Sequence, residues 1–286
     1  MKIDILKHIS SVSHTLPKNQ QLVSKYLMDN WERALYESSM MIARKVGVSQ
    51  STVVRTVANL GYDSYPEFQA ALRLILRDQI SSINRIDQVS TEQKGQTLEQ
   101  RIKKMFDQHQ ENLKTTLVHL DTEQLLKAAR LIWKGKRIYI LGLRTSGALA
   151  HYLGLPLSMI RENVNILTSD YALFENIRTV NRDDVLIVFS FTRYYRNTIT
   201  AASLAHERGC TIIGVTDTIA APLTRIGDIV FHVPVSSMHY SNSYAAVVAL
   251  IDILLNTVGT NNKLAVMKAL KDMEEGFKKF HIFGDK

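Results

Sequence analysis

A single cysteine, Cys210, occurs among 286 residues. One thiol closes no internal disulfide and supplies no cluster for zinc, so no metal site is expected. Cys210 precedes the apolar run 211–215 and reads as a buried structural thiol. Proline is scarce, at 5 residues, and glycine numbers only 13. Collagen-like and low-complexity classes are thereby excluded. No run reaches the roughly 18 consecutive apolar residues that span a bilayer. The opening Met1-Lys2-Ile3-Asp4-Ile5 carries an early acid and lacks the apolar centre of a signal peptide. Together these absences predict a cytoplasmic chain with no membrane partner.

Core material is plentiful: 45% of residues are hydrophobic and 22% charged. The length suits one large domain or two smaller ones. Net charge is +8, which points to an anionic partner. The excess is spread along the chain. Residues 1–78 hold ten Lys and Arg against seven Asp and Glu, a surplus of +3, and the remainder carries +5. Charge alone therefore does not select between nucleic acid and a small phosphorylated ligand.

The hydrophobic period changes along the chain. Pro17 followed by Gln20, Leu22, Val23, Tyr26 and Leu27 suits a helix start and an apolar stripe. Helical character continues from Trp31 to Tyr36. Ser38-Ser39 offers an N-cap for the next helix. A further helix starts at Ser49 or Gln50, with Val53, Val54, Val57 and Leu60 as its apolar face, and Gly61 closes it. Tyr65-Pro66-Glu67 opens another, running to about Arg77. Residues 79–100 are polar and read as an exposed linker, part of it helical. Helices are expected near 98–118 and 121–133. Beyond Lys136, β-branched runs at 137–141, 164–168, 184–190, 211–216 and 228–234 alternate with helical segments near 145–161, 170–179, 195–208 and 242–258. That order predicts a parallel five-stranded sheet covered on both faces. The fold class is thus an all-α domain (1–78) followed, after the linker, by a flavodoxin-like doubly wound α/β domain (101–286).

The stretch 39–61 reads as helix, tight turn, helix. Ile42, Ala43 and Val46 face inward, Gly47 makes the turn, and Val48 enters the core. Ser49, Gln50, Ser51 and Thr52 occupy the first turn of the second helix. In a helix-turn-helix, that helix enters the major groove N-terminus first. Its amides attract phosphate, short hydroxyl side chains allow close approach, and Gln50 and Arg55 can reach base edges. Arg44 and Lys45 face the same duplex. An ordinary helical hairpin whose serines merely cap is the alternative. The string Ile42-Ala43-Arg44-Lys45-Val46-Gly47-Val48-Ser49-Gln50-Ser51-Thr52-Val53-Val54-Arg55, with Leu60-Gly61-Tyr62 and Tyr65-Pro66-Glu67-Phe68, resembles the amino-terminal domain of RpiR-type bacterial transcriptional regulators. The resemblance implies binding to double-stranded operator DNA as a homodimer or homotetramer.

In an open parallel sheet, ligands bind beyond the carboxyl ends of strands where the strand order reverses. Two such ends carry hydroxyls and open helices. One is Gly142-Leu143-Arg144-Thr145-Ser146-Gly147. The other is Ser190-Phe191-Thr192-Arg193-Tyr194-Tyr195-Arg196-Asn197-Thr198. Hydroxyls and helix N-terminal amides suit a phosphate, and Arg144, Arg193 and Arg196 can add charge-assisted contacts. Taken singly, Ser146 and Thr198 read as helix caps before they read as ligands. The first loop is neither a Walker loop nor a dinucleotide fingerprint. This half resembles the sugar isomerase (SIS) domain. The resemblance implies a phosphorylated sugar as effector, an amino-sugar phosphate among the candidates, and carries Ser146, Ser190 and Thr192 over as phosphate ligands. The family pattern has glycine where this chain has Arg144 and Arg193.

His151, Glu175, His232 and His239 could supply acid–base chemistry as in a sugar isomerase. No convergent pair is visible, and the attached helical domain argues against catalysis, so no catalytic residue and no cofactor are expected. His239 either caps the apolar helix that follows or closes over ligand. That helix, residues 244–258, is apolar nearly all round and belongs in a core or a subunit interface. The reading is a regulator, with repression the expected direction, of a carbohydrate catabolic operon. The alternatives are a sugar-phosphate isomerase, or a sensor whose helical domain docks protein.

Overall fold

The protein is described here by a computed structural model covering residues 5–35, 37–79 and 82–282. The expectations on Met1-Lys2-Ile3-Asp4 and on Tyr36 lie outside these residues. The chain divides into two compact units between Glu92 and Gln93.

The first unit is helical: α1 (Ile5–Ser13), α2 (Lys18–Asp29), α3 (Trp31–Ala34), α4 (Ser39–Val46), α5 (Gln50–Asn59), α6 (Tyr65–Gln79) and α7 (Ser82–Glu92). Helix α7 occupies much of the stretch expected as a linker. Val23, Leu27, Ile42, Val53, Val57, Phe68 and Leu72 form one core with Ile9. Two expected apolar positions lie outside it: Leu22 is 50% exposed and Val54 39% exposed. Helical spacing explains both. On α5 the buried row is Val53, Thr56, Val57 and Leu60, the i, i+3, i+4, i+7 set. Val54 falls about 100° away from Val53. Buried Thr56 takes its place by donating its hydroxyl to the Thr52 carbonyl at 2.8 Å.

The second unit opens with α8 (Leu98–His119) and α9 (Thr122–Lys134). It continues through β1 (Ile138–Leu141), α10 (Gly147–Ile160), β2 (Val164–Leu167), α11 (Leu173–Ile177), β3 (Val185–Phe189), α12 (Arg196–Glu207), β4 (Thr211–Thr216) and β5 (Ile229–His232). It closes with α13 (Ala245–Asn261) and α14 (Lys263–Lys279). The five strands are parallel in the order β2-β1-β3-β4-β5. This is the doubly wound order, with its reversal between β1 and β3.

Side chains alternate across the sheet. Ile138, Ile140, Val185, Ile187 and Phe189 pack on one face against α9, α10 and α13. Tyr139, Leu141, Leu186 and Val188 pack on the other against α11 and α12. Burial on both faces explains the nearly continuous apolar runs in the sequence. Helix α13 is a core helix, with Ala246, Val247, Leu250, Ile251, Leu254 and Val258 buried. Cys210 is buried beside β4, and burial pushes its thiol up to about 12. At the amino ends of β1 and β3, Arg137 donates to both oxygens of Asp184 at 3.0 and 2.6 Å. No single helix among the described residues is long and apolar enough to cross a membrane.

Candidate functional sites

The helix-turn-helix geometry follows from three local devices. Ser38 caps α4 by accepting the Met41 N–H at 3.2 Å. Gly47, at φ 77°, turns the chain and returns its N–H to the Ala43 carbonyl. That left-handed conformation is open to glycine at no steric cost. Ser49 then caps α5 by accepting the Thr52 N–H at 3.2 Å. With Ser49 spent on the cap, the exposed side chains of α5 are Gln50, Ser51, Val54, Arg55, Ala58 and Asn59.

Several expected DNA-facing residues are held internally. Gln50 Nε2 donates to Ser39 Oγ at 3.0 Å. Arg55 folds along the helix, donating from Nε to the Ser51 carbonyl at 3.3 Å. Lys45 Nζ lies 2.5 Å from Glu37, whose other oxygen accepts the Tyr26 hydroxyl at 2.7 Å. The Glu37 carboxylate raises the Lys45 ammonium, while burial first and then the same carboxylate raise the Tyr26 phenol. Lys45 is therefore a clamp on the loop before α4 as much as a surface charge. Arg44 is exposed and leans on Met40 at 3.8 Å.

In the second unit, the two expected loops leave the sheet where its order reverses. Leu141 and Val188 are register partners in adjacent β1 and β3. Gly142 is required at the first turn: a Cβ there would sit 2.3 Å from the Ser146 carbonyl oxygen. Arg144 at φ 56° and Arg193 at φ 74° both lie in the left-handed region. Those are the two positions at which the family pattern has glycine, the residue that adopts this backbone freely. Arg144 stands 5.9 Å over the Tyr195 ring, and Tyr195 donates its hydroxyl to Asp170 at 3.1 Å. Arg196 is exposed at the start of α12.

The hydroxyls of the two loops are engaged unequally. Ser190 is 3% exposed, and its Oγ has no hydrogen-bond partner among the described residues. Ser146 stands at the N-cap position of α10, yet its side chain makes no capping bond. Thr198 is buried inside α12, beyond its cap. Thr145 pairs with the Tyr244 hydroxyl at 3.0 Å. Thr192, expected as a phosphate ligand, is committed elsewhere: its N–H donates to Asp217 Oδ2 at 3.0 Å and its hydroxyl to the same oxygen. Tyr194 donates to Asp217 Oδ1 at 2.9 Å. Burial pushes the Asp217 carboxyl up, and the Tyr194 and Thr192 donors hold it back.

Asp217 escaped the sequence reading because it follows β4 as a single acid without a spacing signal. It fixes the loop after β3. His239 does not cap α13, whose N-cap is Tyr244. Its Nδ1 accepts the Ser241 N–H at 3.1 Å, which shapes the loop itself. Helix α8 holds that loop through Asn112, which donates to the Ser236 carbonyl at 2.8 Å, and through His109 at 2.9 Å from Ser243 Oγ. His232 bonds Thr224 at 3.2 Å, and burial lowers its imidazole. His151 and Glu175 are exposed on α10 and α11. Among the described residues, no three His, Cys, Asp or Glu side chains are grouped to hold a metal.

A DNA-reading helical hairpin joined in one chain to a doubly wound α/β unit defines a two-domain transcriptional regulator. Comparison with known proteins gives the family. Residues 3–79 match the helix-turn-helix domain of the rpiR family and residues 131–257 match the SIS domain. The chain belongs to the RpiR-type transcriptional regulators. It is 25% identical over 225 residues to the HTH-type transcriptional regulator HexR of Escherichia coli, covering 78% of this chain and 75% of HexR. An uncharacterized HTH-type transcriptional regulator of Clostridium perfringens is 23% identical over 225 residues, 78% of this chain and 79% of that protein. Among solved structures, the sugar isomerase domain of an RpiR transcription factor from Sphaerobacter thermophilus superposes with a TM-score of 0.58 at 25% identity, covering 60% of this chain and 97% of that one. The Vibrio vulnificus NanR protein complexed with ManNAc-6P superposes with a TM-score of 0.67 at 18% identity, covering 99% and 100%.

Proposed function

We propose that this chain represses a carbohydrate catabolic operon and is released from its operator by a phosphorylated sugar bound in the SIS unit. One observation carries the ligand half of that reading, the buried and unpartnered Ser190 hydroxyl at the carboxyl end of β3. A buried hydroxyl without a partner is costly, and a phosphate oxygen would supply the missing bond. Ser146, the amides around Gly142 and Gly147, and the guanidinium groups of Arg144, Arg193 and Arg196 complete an anion-binding rim. The phosphosugar held by the NanR neighbour favours the same class, amino-sugar phosphates included. Thr192 acts through Asp217 rather than on phosphate, and His239 borders the rim.

On the DNA side, the α5 amino end with Ser49, Gln50, Ser51, Thr52 and Arg55 faces the major groove, while Arg44 and Lys45 supply charge. The protein works as a homodimer or homotetramer without a cofactor, and it is not an enzyme. The separate placements of His151, Glu175, His232 and His239 support that last point. Effector and operator need only prefer different states of the protein to be coupled.

The test is a thermal-shift screen of hexose and N-acetylhexosamine 6-phosphates, followed by mobility shift on the gene's own upstream duplex. A sugar phosphate that raises Tm and weakens the shifted complex supports the reading. Turnover in a coupled isomerase assay, or no response to any phosphosugar, refutes it.

A further inference from the structure

On the exposed face of α5, Val54 is anomalous. It is 39% exposed and lies between Gln50 and Ala58 on the i, i+4 row, one turn from Ser51. Helix propensity does not favour it there, because a β-branched side chain is poorer than Ala, Gln or Arg at a solvent-facing helical site. Packing does not favour it either, since the first unit's core is built from Val53, Val57 and Leu60. The polar side chains around it are already engaged. Gln50 is bonded to Ser39, Arg55 to Ser51, and Asn59 to Gln20 at 2.7 Å. What this face offers outward in its first two turns is thus a part-exposed dimethyl group framed by polar atoms.

A local choice that satisfies neither propensity nor packing marks a functional constraint. In B-DNA the major groove displays a single apolar group, the C5-methyl of thymine. We propose that Val54 is a specificity-determining residue of operator recognition, and that it reads a thymine methyl in each half-site. Gln50 and Arg55 flank it one turn away or adjacent, and each would have to leave its partner, Ser39 or Ser51, to reach a neighbouring base.

The experiment uses the full chain. Duplexes are enriched from a random pool with the wild-type protein. In the tightest duplex each thymine is then replaced singly by deoxyuridine, which removes only the methyl. Affinity is measured by anisotropy for wild type and V54A. At one thymine per half-site, the wild type should lose about 3–10-fold, the worth of one buried methyl. V54A should bind the parent duplex more weakly by a similar factor and should no longer distinguish thymine from deoxyuridine at that position. Alanine is the better helix former, so the Tm of V54A should equal or exceed that of the wild type, which separates recognition from folding. A V54A protein that binds as tightly as wild type overturns the proposal. So does one that still senses the same methyl, a result that would assign that methyl to another side chain. Failure to enrich any duplex would overturn it together with DNA binding itself.

Discussion

The Ser190 hydroxyl makes opposite demands on stability and on binding, and Ser190→Ala separates them. A buried hydroxyl without a partner costs about 1–3 kcal/mol. Deleting it removes that cost and leaves a void of one atom, so the ligand-free protein should be as stable as wild type or slightly more so. If the same hydroxyl donates to a phosphate, its loss costs about 1.5–3 kcal/mol of binding, the range for hydrogen bonds to charged groups. That is roughly 10–150-fold in Kd. The consequence for a thermal-shift assay follows directly. At a ligand concentration about 100 times the wild-type Kd, binding stabilises the wild type by about 2.7 kcal/mol. A variant with a 100-fold higher Kd gains about 0.4 kcal/mol from the same solution. At about 2–4 °C per kcal/mol for a unit of this size, a shift of about 5–11 °C shrinks to about 1 °C. The measurement is scanning fluorimetry with and without the phosphosugar that scores in the screen. Two results would refute the reasoning. A fall of several degrees in the ligand-free Tm would mean the hydroxyl has a structural partner. An undiminished ligand shift would mean it does not touch the effector.

Arg55→Ala should lower operator affinity by about 1–3 kcal/mol with Tm unchanged, because the hydrogen bonds of Arg55 are local to Ser51. An anisotropy titration across salt concentrations checks it, and an identical curve removes Arg55 from the interface. Gly142→Ala places a Cβ 2.3 Å from a backbone oxygen. The loop must shift, Tm should fall by the equivalent of about 1–3 kcal/mol, and effector binding should fall with it. Asp184→Asn breaks a bidentate pair whose acid side chain is fully buried and whose Arg137 is 30% exposed. The loss should be about 2–4 kcal/mol near neutral pH, the lower end reflecting that exposure. Burial pushes the Asp184 carboxyl up, but Arg137 and the Asn181 N–H carry it net below its ordinary value. The stabilisation is then complete above the unfolded carboxyl's titration, about pH 4, and lost as pH falls below it. The Tm gap between wild type and D184N should close in acid; a gap independent of pH would disprove the pairing argument.

Periodicity disclosed most of the fold, because both units bury their apolar faces at the ordinary spacings. The five strands came out within a residue or two at each end, since both faces of the sheet are covered and apolar residues dominate every strand. Periodicity failed at Val54 and Leu22, where an apolar residue sits beside the buried row rather than in it. It overstated the helix near 170–179, which shrinks to Leu173–Ile177 behind Ala172 at φ 56°. No single-residue signal announces a left-handed alanine. The two candidate loops were legible as hydroxyl-rich strand ends, whereas the hydrogen bonding within them was not. Thr192 and Ser190 look alike in sequence, and only the carboxylate of Asp217, 25 residues beyond Thr192, tells them apart.

Arg144 and Arg193 set the remaining problem, which is one of energetics rather than recognition. A side chain on left-handed backbone costs about 1–2 kcal/mol, and both loops accept that cost. Burial does not offset it, since both residues are exposed. For Arg144, the stack on Tyr195 returns about 0.5–1 kcal/mol at an exposed site, which leaves the position unfavourable or near neutral. Glycine would adopt the same φ freely, at an entropic cost of about 0.5–1 kcal/mol. At position 144 arginine and glycine are therefore close in stability, and stability does not choose between them. What arginine adds is charge, once on each of the two loops that leave the sheet at its reversal. Backbone outliers of this kind cluster at functional sites, and two guanidinium groups at the sheet reversal suit the anionic effector proposed above.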